Sequence, residues 1–263
     1  MNLKTLFTLL AISSLLSLSP VRADLLINPA GGTVLQAGPD NDDISASRPL
    51  GFTGTFFGVS HTTVDVSTNG NLNFSLNTSA ANLALPTSVA RISPLWDDLV
   101  VSGGASGESV SELVDLGTSY TVTWRAHHST GSDARFQVTW FGAATNIGGF
   151  DFLAGDVAFS YSAVFGNFTS GNATVGLDGG NSSMAAALPG DSDGLITNSQ
   201  VSLLPKDPGQ FILFRPDTST SYAATIQTIP EPSASALWLS GLTGLLLRRR
   251  PRPTLDERRW NRG

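Results

Sequence analysis

The sequence contains no cysteine and, in its central body, very little positive charge. The absence of cysteine excludes disulfides, thiol catalysis and metal sites built on thiolates. Between residues 24 and 229, six basic side chains stand against eighteen acidic ones, a net charge of −12, whereas the whole chain carries −6. Because so acidic a body repels phosphate backbones and anionic lipid, we exclude nucleic-acid binding as its function.

The body also lacks long segments with helical periodicity, and the chain has only three histidines. Their number and spacing do not outline a catalytic or metal site, and we expect His127-His128 to lie in a loop. A serine hydrolase would need a nucleophile turn, which Gly104-Ala105-Ser106-Gly107 does not supply. The composition therefore favours a non-enzymatic protein.

The chain begins with a segment typical of export. Lys4 precedes an apolar stretch at residues 6–18, and small residues end the segment at Ala23. This pattern predicts a secretory signal peptide over residues 1–23, cut after Ala23. The alternative is a first transmembrane helix that stays in place.

The C-terminal region combines a stiff Pro-Glu-Pro tripeptide, an apolar run and a basic cluster. Pro230-Glu231-Pro232 is extended and accessible because proline fixes φ and removes backbone donors. The uncharged run at residues 234–247 predicts a transmembrane helix, although its fourteen residues are fewer than the roughly 17 that a spanning helix needs. Arg248, Arg249 and Arg250 then favour the cytoplasmic side, together with a basic cytoplasmic tail at 251–263. The alternative is a C-terminal helix buried in the domain.

Residues 230–250 resemble the PEP-CTERM sorting signal of Gram-negative bacteria, in which these three parts follow in this order. The resemblance implies recognition by an exosortase-type membrane protease-transpeptidase, with Pro230, Glu231, Pro232 and the arginines at 248, 249 and 250 as the sorting residues. It further implies an inner-membrane intermediate, then release to the cell envelope surface or the extracellular space. The polar extension at 251–263 departs from the usual pattern, in which the chain stops soon after the basic cluster.

The body between the targeting segments reads as strands separated by turns. Val64 and Val66 alternate before Asn69-Gly70, and Leu72 and Phe74 alternate after it, which predicts a β-hairpin with a type I′ turn and one buried face. Residues 211–214 form an apolar run that we expect to be buried on both faces. Residues 218–228 are either an edge strand or the start of a tether. We predict one all-β domain over 24–229, an antiparallel β-sandwich, with a partly closed barrel as the alternative.

Three blocks of the body carry a second resemblance. Leu50 to Gly58, Val64 to Phe74 and Ile92 to Leu99 occur in the same order as in nidogen-like domains of adhesion and matrix proteins. The likeness extends over residues 50–180. It implies an extracellular, β-rich interaction domain.

Few residues of the body suggest chemistry. Asp97-Asp98 invites comparison with paired catalytic carboxylates, but strand neighbours face opposite ways, so we expect one to cap a turn and the other to be solvated. Two oxygen-rich loops are candidates for Ca²⁺, one at Asp40 and Asp42 and one at Asp191 and Asp193, and neither completes a known calcium loop. No other cofactor is expected.

Aromatic residues could bind sugars if they were displayed. We expect Trp124 and Trp140 in the core, and Phe150 and Phe152 on the surface. The sequence as a whole predicts an exported surface or matrix protein with an adhesive or exopolysaccharide-associated role. Two alternatives remain open, a secreted carbohydrate-active hydrolase and a carbohydrate-binding module.

Overall fold

The computed structural model describes residues 25–37, 45–75, 82–102, 107–128, 131, 133–164, 168–181 and 185–230, and these are all-β. The strands before residue 130 are β1 Thr33–Gln36, β2 Ser45–Phe56, β3 Val59–Ser67, β4 Asn71–Asn73, β5 Ala90–Trp96, β6 Leu99–Val100, β7 Ser109–Asp115 and β8 Ser119–His128. Those after it are β9 Asp133–Phe141, β10 Thr145–Ile147, β11 Phe150–Phe152, β12 Val157–Val164, β13 Asn172–Gly179, β14 Ala185–Ala187, β15 Leu195–Thr197, β16 Gln210–Thr218 and β17 Ser221–Thr228. A 3₁₀ helix, Asn198–Leu203, follows β15.

The larger sheet, called sheet I, has the order β1-β7-β8-β9-β12-β16-β17, with β6 beside β8. All of its neighbouring strands are antiparallel. The apolar residues that alternate along β8, β9 and β12 stand side by side. Two cross-strand rows show this, Tyr120-Trp140-Val157 and Trp124-Phe136-Tyr161.

The second sheet, called sheet II, has the order β14-β13-β5-β4-β3-β2, with β15 beside β13. Its strands β2 to β5 carry most of the three sequence blocks of the second resemblance, while Leu99, the end of the third block, lies in β6 of sheet I. Strands β4, β5 and β13 of sheet II are buried along most of their length on both faces, and so is the part of β3 next to the turn, residues 64–67. The expectation that the β3–β4 hairpin buries only one face is therefore wrong.

The main core lies between the two sheets. Trp124 and Trp140 are both fully buried in it, as predicted. The indole N–H of Trp124 donates to the Ser67 carbonyl at 2.8 Å, and the Tyr161 hydroxyl donates to the Pro94 carbonyl at 2.7 Å. These bonds tie sheet I to sheet II, since each joins a strand of one to a strand of the other. The described strands thus form the predicted antiparallel sandwich, and neither sheet closes into a barrel.

The turn between β3 and β4 differs from the predicted type I′ turn. Ser67 pairs with Asn71, which leaves three turn residues, Thr68, Asn69 and Gly70. Only Gly70 has a positive φ, +75°, whereas a type I′ turn needs two such residues. A Cβ at residue 70 would lie 2.0 Å from the Leu95 carbonyl oxygen, so the glycine is required for close contact as well as for its φ.

A smaller apolar cluster lies on the outer face of sheet I. Phe141, Phe152, Phe211 and Leu213 form it, and it is covered by the β10–β11 hairpin and by residues that include Leu26 and Ile229. Since Ile212 and Phe214 belong to the main core, the run at 211–214 is buried on both faces, as predicted. The same cluster buries Phe152 completely, which contradicts its expected exposure.

The last described strand leads directly to the predicted sorting segment. Among the described strands, β17 pairs with β16 alone and forms an edge of sheet I, so residues 221–228 are an edge strand and not the start of a tether. Chain contacts divide the protein into two units, Met1–Ile229 and Pro230–Gly263. The predicted signal segment 1–23 and the transmembrane run 234–247 lie outside the described residues. Among the residues described, no helix has the length and apolarity needed to cross a membrane.

Candidate functional site

The structure brings together two residues that the sequence analysis kept apart, Asp97 and His128. Asp97 follows β5, and His128 ends β8, where the pairing of Leu99 with His128 places the two side chains next to each other. Nδ1 of His128 lies 2.7 Å from Oδ2 of Asp97, and the Thr169 backbone N–H donates to the same oxygen at 3.1 Å. The expectation of a loop for His127-His128 is wrong, because both belong to β8.

This histidine–carboxylate pair is closed to solvent. Both side chains are essentially unexposed, and the ring of Phe168 lies edge-on to His128 at 5.2 Å. Nε2 of His128 and Oδ1 of Asp97 have no hydrogen-bond partner within the described part of the chain. A general base needs contact with its substrate proton, so in this conformation the pair joins elements of the fold. We expected one of Asp97 and Asp98 to cap a turn and the other to be solvated. Instead, Asp97 joins elements of the fold, and Asp98 is half-buried.

A second polar cluster lies at the same end of β8. Glu108 accepts hydrogen bonds from the backbone N–H and the hydroxyl of Ser102, and its other oxygen lies 3.0 Å from Nδ1 of His127. Burial alone would raise the pKa of the Glu108 carboxyl, but the Ser102 bonds and His127 outweigh it, so the pKa is lowered. The cluster holds the β6–β7 connection against β8.

The outer face of sheet II carries a row of buried polar residues that the sequence analysis missed. Asp65, Asn73, Arg91 and Asp178 lie opposite one another on four adjacent strands, and none is more than 8% exposed. The Arg91 guanidinium lies 3.9 Å from the Trp96 ring centroid, and burial lowers its pKa to about 10 against the opposing effect of Asp178. Periodicity could not reveal this row, because it identifies a polar face without showing what covers that face.

Two hollows open at the surface beside β16 and β17. The first hollow has a volume of about 260 Å³ and is lined by residues that include Thr53, Thr55, Phe57, Pro216, Thr218 and Tyr222. The second hollow has a volume of about 460 Å³ and is lined by residues that include Phe150, Arg215, Pro216, Asp217, Thr225 and Gln227. Pro216 belongs to both, so the two hollows are neighbours.

The first hollow is neutral. Its lining contains no Asp, Glu, His, Lys or Arg, and offers the hydroxyls of three threonines, Ser219 and Tyr222. The Tyr222 pKa is raised, chiefly by burial and further by the charge of Asp156, so this hydroxyl stays protonated. One lining residue, Gly54, is fixed by the core behind it, because a Cβ there would lie 2.4 Å from the Trp140 ring.

The second hollow contains one cation that already has partners. Nε of Arg215 donates to Asp156 at 3.0 Å, and Nη2 donates to Asp156 at 2.6 Å and to the Asp151 carbonyl at 3.0 Å. The hydrogen bond with Asp156 raises the pKa of Arg215. Phe150 is half-buried at the wall and packs against the outer cluster, so the predicted surface exposure is met in part by Phe150 and not by Phe152.

The remaining predicted site residues fall into two groups. Asp191 and Asp193 lie in one turn, where the Asp193 carboxylate accepts the Leu195 backbone N–H at 3.0 Å and Asp191 accepts that of Asp193 at 3.4 Å. In the described ranges, no three His, Asp or Glu side chains form a group that could hold a metal ion. Pro230 is exposed, while the other predicted site residues, Ala23, Asp40, Asp42, Glu231, Pro232, Arg248, Arg249 and Arg250, lie outside the described residues.

The same turn contains a motif that the sequence analysis missed. Residues 190–194, Gly-Asp-Ser-Asp-Gly, match the Gly-x-Ser-x-Gly pattern of nucleophile turns. That turn requires a strand before the serine and a helix after it. Here β14 precedes and β15 follows, and Ser192 is exposed, so the structural context of a nucleophile is missing at this position.

Comparison with known proteins gives one match. A family model described as NIDO related matches residues 24–216, which is more than half of the chain. No curated protein and no solved structure matches. The match includes the whole of residues 50–180, for which the sequence blocks predicted such a domain.

Proposed function

The chain belongs to the NIDO-related family, and from this premise we propose that it is an exported, non-catalytic surface or matrix protein. Its β-sandwich acts as an adhesive or exopolysaccharide-associated component of a Gram-negative cell envelope. A signal peptide at 1–23 exports it, and the segment at 230–250 sorts it. The chain is then membrane-anchored until an exosortase-type enzyme cuts it near Pro230.

One observation carries the binding role, namely the contrast between the open hollows and the closed histidine pair. The hollows beside Pro216 offer hydroxyl, amide and aromatic groups to solvent, whereas Asp97 and His128 are sealed in the fold. Sugar hydroxyls pair with such groups, and sugar ring faces pack on aromatic side chains. The accessible chemistry thus favours binding of glycans over their cleavage.

The sorting role is supported by the end of the described domain. The Ile229 backbone N–H donates to the Gly209 carbonyl at 2.9 Å, and its side chain packs on the outer cluster of sheet I. Pro230, the next residue, is exposed. Cleavage after Ile229 would remove none of the described strands, so the sandwich would stay intact.

A secreted carbohydrate-active hydrolase is the second candidate, and the 2.7 Å contact between His128 and Asp97 favours it. It would require an opening that exposes Nε2 of His128. In that case polysaccharide turnover would disappear in Asp97→Asn.

One experiment separates the two candidates. The wild-type protein, incubated with a polysaccharide panel, should bind at least one glycan and release no oligosaccharides. Turnover that is lost in Asp97→Asn would replace the binding role with catalysis.

Sorting has a separate test in the native host. Mass spectrometry of the mature protein should find a C-terminus between residues 229 and 232 and an N-terminus at Asp24. Replacing both Pro230 and Pro232 by alanine should leave the uncut form in the membrane fraction. A mature protein that still ends at Gly263 would contradict the sorting proposal and leave the binding proposal standing.

A further inference from the structure

We propose that the two hollows beside Pro216 form one binding site for a neutral, uncharged glycan chain. The inference rests on the proposed function and specifies both the location of the glycan and its chemical class. Pro216 lines both hollows, so a polymer could occupy them with consecutive sugar units. The first volume lies just below, and the second in the lower half of, the roughly 300–1,000 Å³ of small-ligand pockets, which suits short segments of a chain lying across a surface.

The lining groups match the hydroxyls of a sugar. The first hollow supplies the hydroxyls of Thr53, Thr55 and Thr218. The second supplies the Gln227 amide and the Thr225 hydroxyl, to which the amide nitrogen donates at 3.1 Å and which keeps its own proton to donate, with the Phe150 ring at the wall. Hydroxyls both donate and accept, and an amide does so through separate atoms, so they can pair with sugar hydroxyls in several orientations. An aromatic ring adds an apolar surface for a sugar face.

The charge distribution selects against acidic glycans. An acidic sugar needs an available cation, and Arg215 of the second hollow is already bonded to Asp156 and to the Asp151 carbonyl. Asp217 lines the same hollow and repels a carboxylate. The first hollow has no charged residue in its lining, and the body carries a net charge of −12. A uronate or sulfate would therefore lose hydration without gaining a counterion.

The test uses the exported protein purified from its host, with neutral glucans and mannans compared against alginate and hyaluronate. Retention and affinity are measured at about 0.01 M and about 1 M salt, where the Debye length falls from about 30 to 3 Å. We expect binding of at least one neutral glycan with an affinity that changes less than about twofold between the two salts. Attraction of an acidic glycan to a cation would weaken strongly over that range.

Site variants localise the binding. Phe150→Ala should weaken affinity about tenfold, equivalent to 1.4 kcal/mol. Thr225→Val and Gln227→Ala should also weaken the affinity. Neither residue belongs to the outer apolar cluster, so these two variants still test the site if Phe150→Ala disturbs folding. Leu116→Ala is the matched control, because Leu116 is 80% exposed and lines neither hollow.

The outcomes separate this inference from the proposed function. Binding confined to alginate or hyaluronate and lost at high salt overturns the neutral class, while a glycan-associated role remains. Neutral binding that is unchanged in Phe150→Ala, Thr225→Val and Gln227→Ala overturns the location. Absence of binding to every glycan overturns the exopolysaccharide role and this inference with it.

Discussion

Gly148 is packed so closely against Ile229 that a Cβ at residue 148 would lie 2.4 Å from Cγ2 of the isoleucine. Gly148 lies in the β10–β11 turn, and Ile229 is the last residue before Pro230. The glycine therefore makes room for the residue that anchors the end of the sandwich. A side chain at residue 148 would push the end of the chain away from the outer cluster.

The first prediction compares Gly148→Ala with Gly149→Ala. Both glycines have a positive φ, +58° and +89°, so alanine at either position strains the backbone, but a Cβ at residue 149 would contact nothing within 4 Å. We expect Gly148→Ala to speed hydrogen exchange of the Ile229 amide and the C-terminal half of β17, well beyond the effect of Gly149→Ala. Equal exchange rates in the two variants would show that Ile229 is not anchored by this contact.

The second prediction concerns Gly54, whose Cβ would lie 2.4 Å from Cζ2 of Trp140. Because the φ of Gly54 is not in the left-handed region, overpacking alone should determine the effect of Gly54→Ala. We expect a loss of about 1–3 kcal/mol in the free energy of unfolding, measured by chemical denaturation. In a double-mutant cycle, Trp140→Phe should reduce that loss, since the smaller ring leaves space. Additive effects would contradict the contact.

The strands that were predicted correctly are those in which the core alone decides the pattern. Trp124 was correctly expected in the core, because Tyr120, Val122 and Trp124 lie on one face of β8 and all three pack into the core between the sheets. The β3–β4 turn was predicted less well, because its type depends on the φ of Asn69 and on the approach of Leu95 to Gly70, a contact distant in sequence.

The candidate site could be predicted only in part for the same physical reason. Phe150 was named from the sequence as an aromatic that could bind sugars, whereas the hollows combine residues from β2, the β11–β12 turn and β16, and no local sequence pattern shows that these segments meet. The pair of Asp97 and His128 is likewise a product of β6 pairing with β8. A sequence window shows each residue type and leaves the distance between them undetermined.

The third prediction tests whether Asp97 is structural. Asp97→Ala removes the acceptor for Thr169 and the partner of His128 in a buried setting, which should cost about 2–4 kcal/mol of the free energy of unfolding. Asp97→Asn keeps one acceptor oxygen and should cost less. Asp115→Asn, at an exposed position of β7, serves as the control and should change stability by less than about 0.5 kcal/mol. An Asp97→Ala protein as stable as this control would contradict the role.

The fourth prediction is a loss of stability in acid in two steps. Burial lowers the pKa of His61 below its usual 6.5, and the pKa of Glu108 lies below its usual 4.5. The unfolded chain binds protons more tightly at both sites, so the stabilisation is present at neutral pH. It falls first as the pH drops below about 6.5, through His61, and again below about 4.5, through Glu108. The measurement is the denaturation midpoint at several pH values. The step near pH 6.5 should disappear in His61→Phe, and the step near pH 4.5 should disappear in Glu108→Gln. A step that persists in its variant would be due to another titratable group.

The last prediction concerns Arg91, a buried cation that is not paired in the way buried cations usually are. Its Nε and Nη1 have no hydrogen-bond partner among the described residues, and its guanidinium lies 3.9 Å from the Trp96 ring centroid. Desolvation of a guanidinium that lacks these hydrogen bonds costs several kcal/mol, and the ring, worth about 0.5–2 kcal/mol, together with the charge of Asp178 offsets only part of that cost. Arg91→Met keeps most of the volume and removes the charge, so we expect the free energy of unfolding to stay the same or to rise by about 1 kcal/mol or more.

Asp178 in the same row accepts the backbone N–H groups of Thr87 and Gly180, so Asp178→Ala should be strongly destabilising. If Arg91→Met unfolded the protein as readily as Asp178→Ala, the guanidinium would have to be satisfied by groups such as internal waters, and its burial would be stabilising.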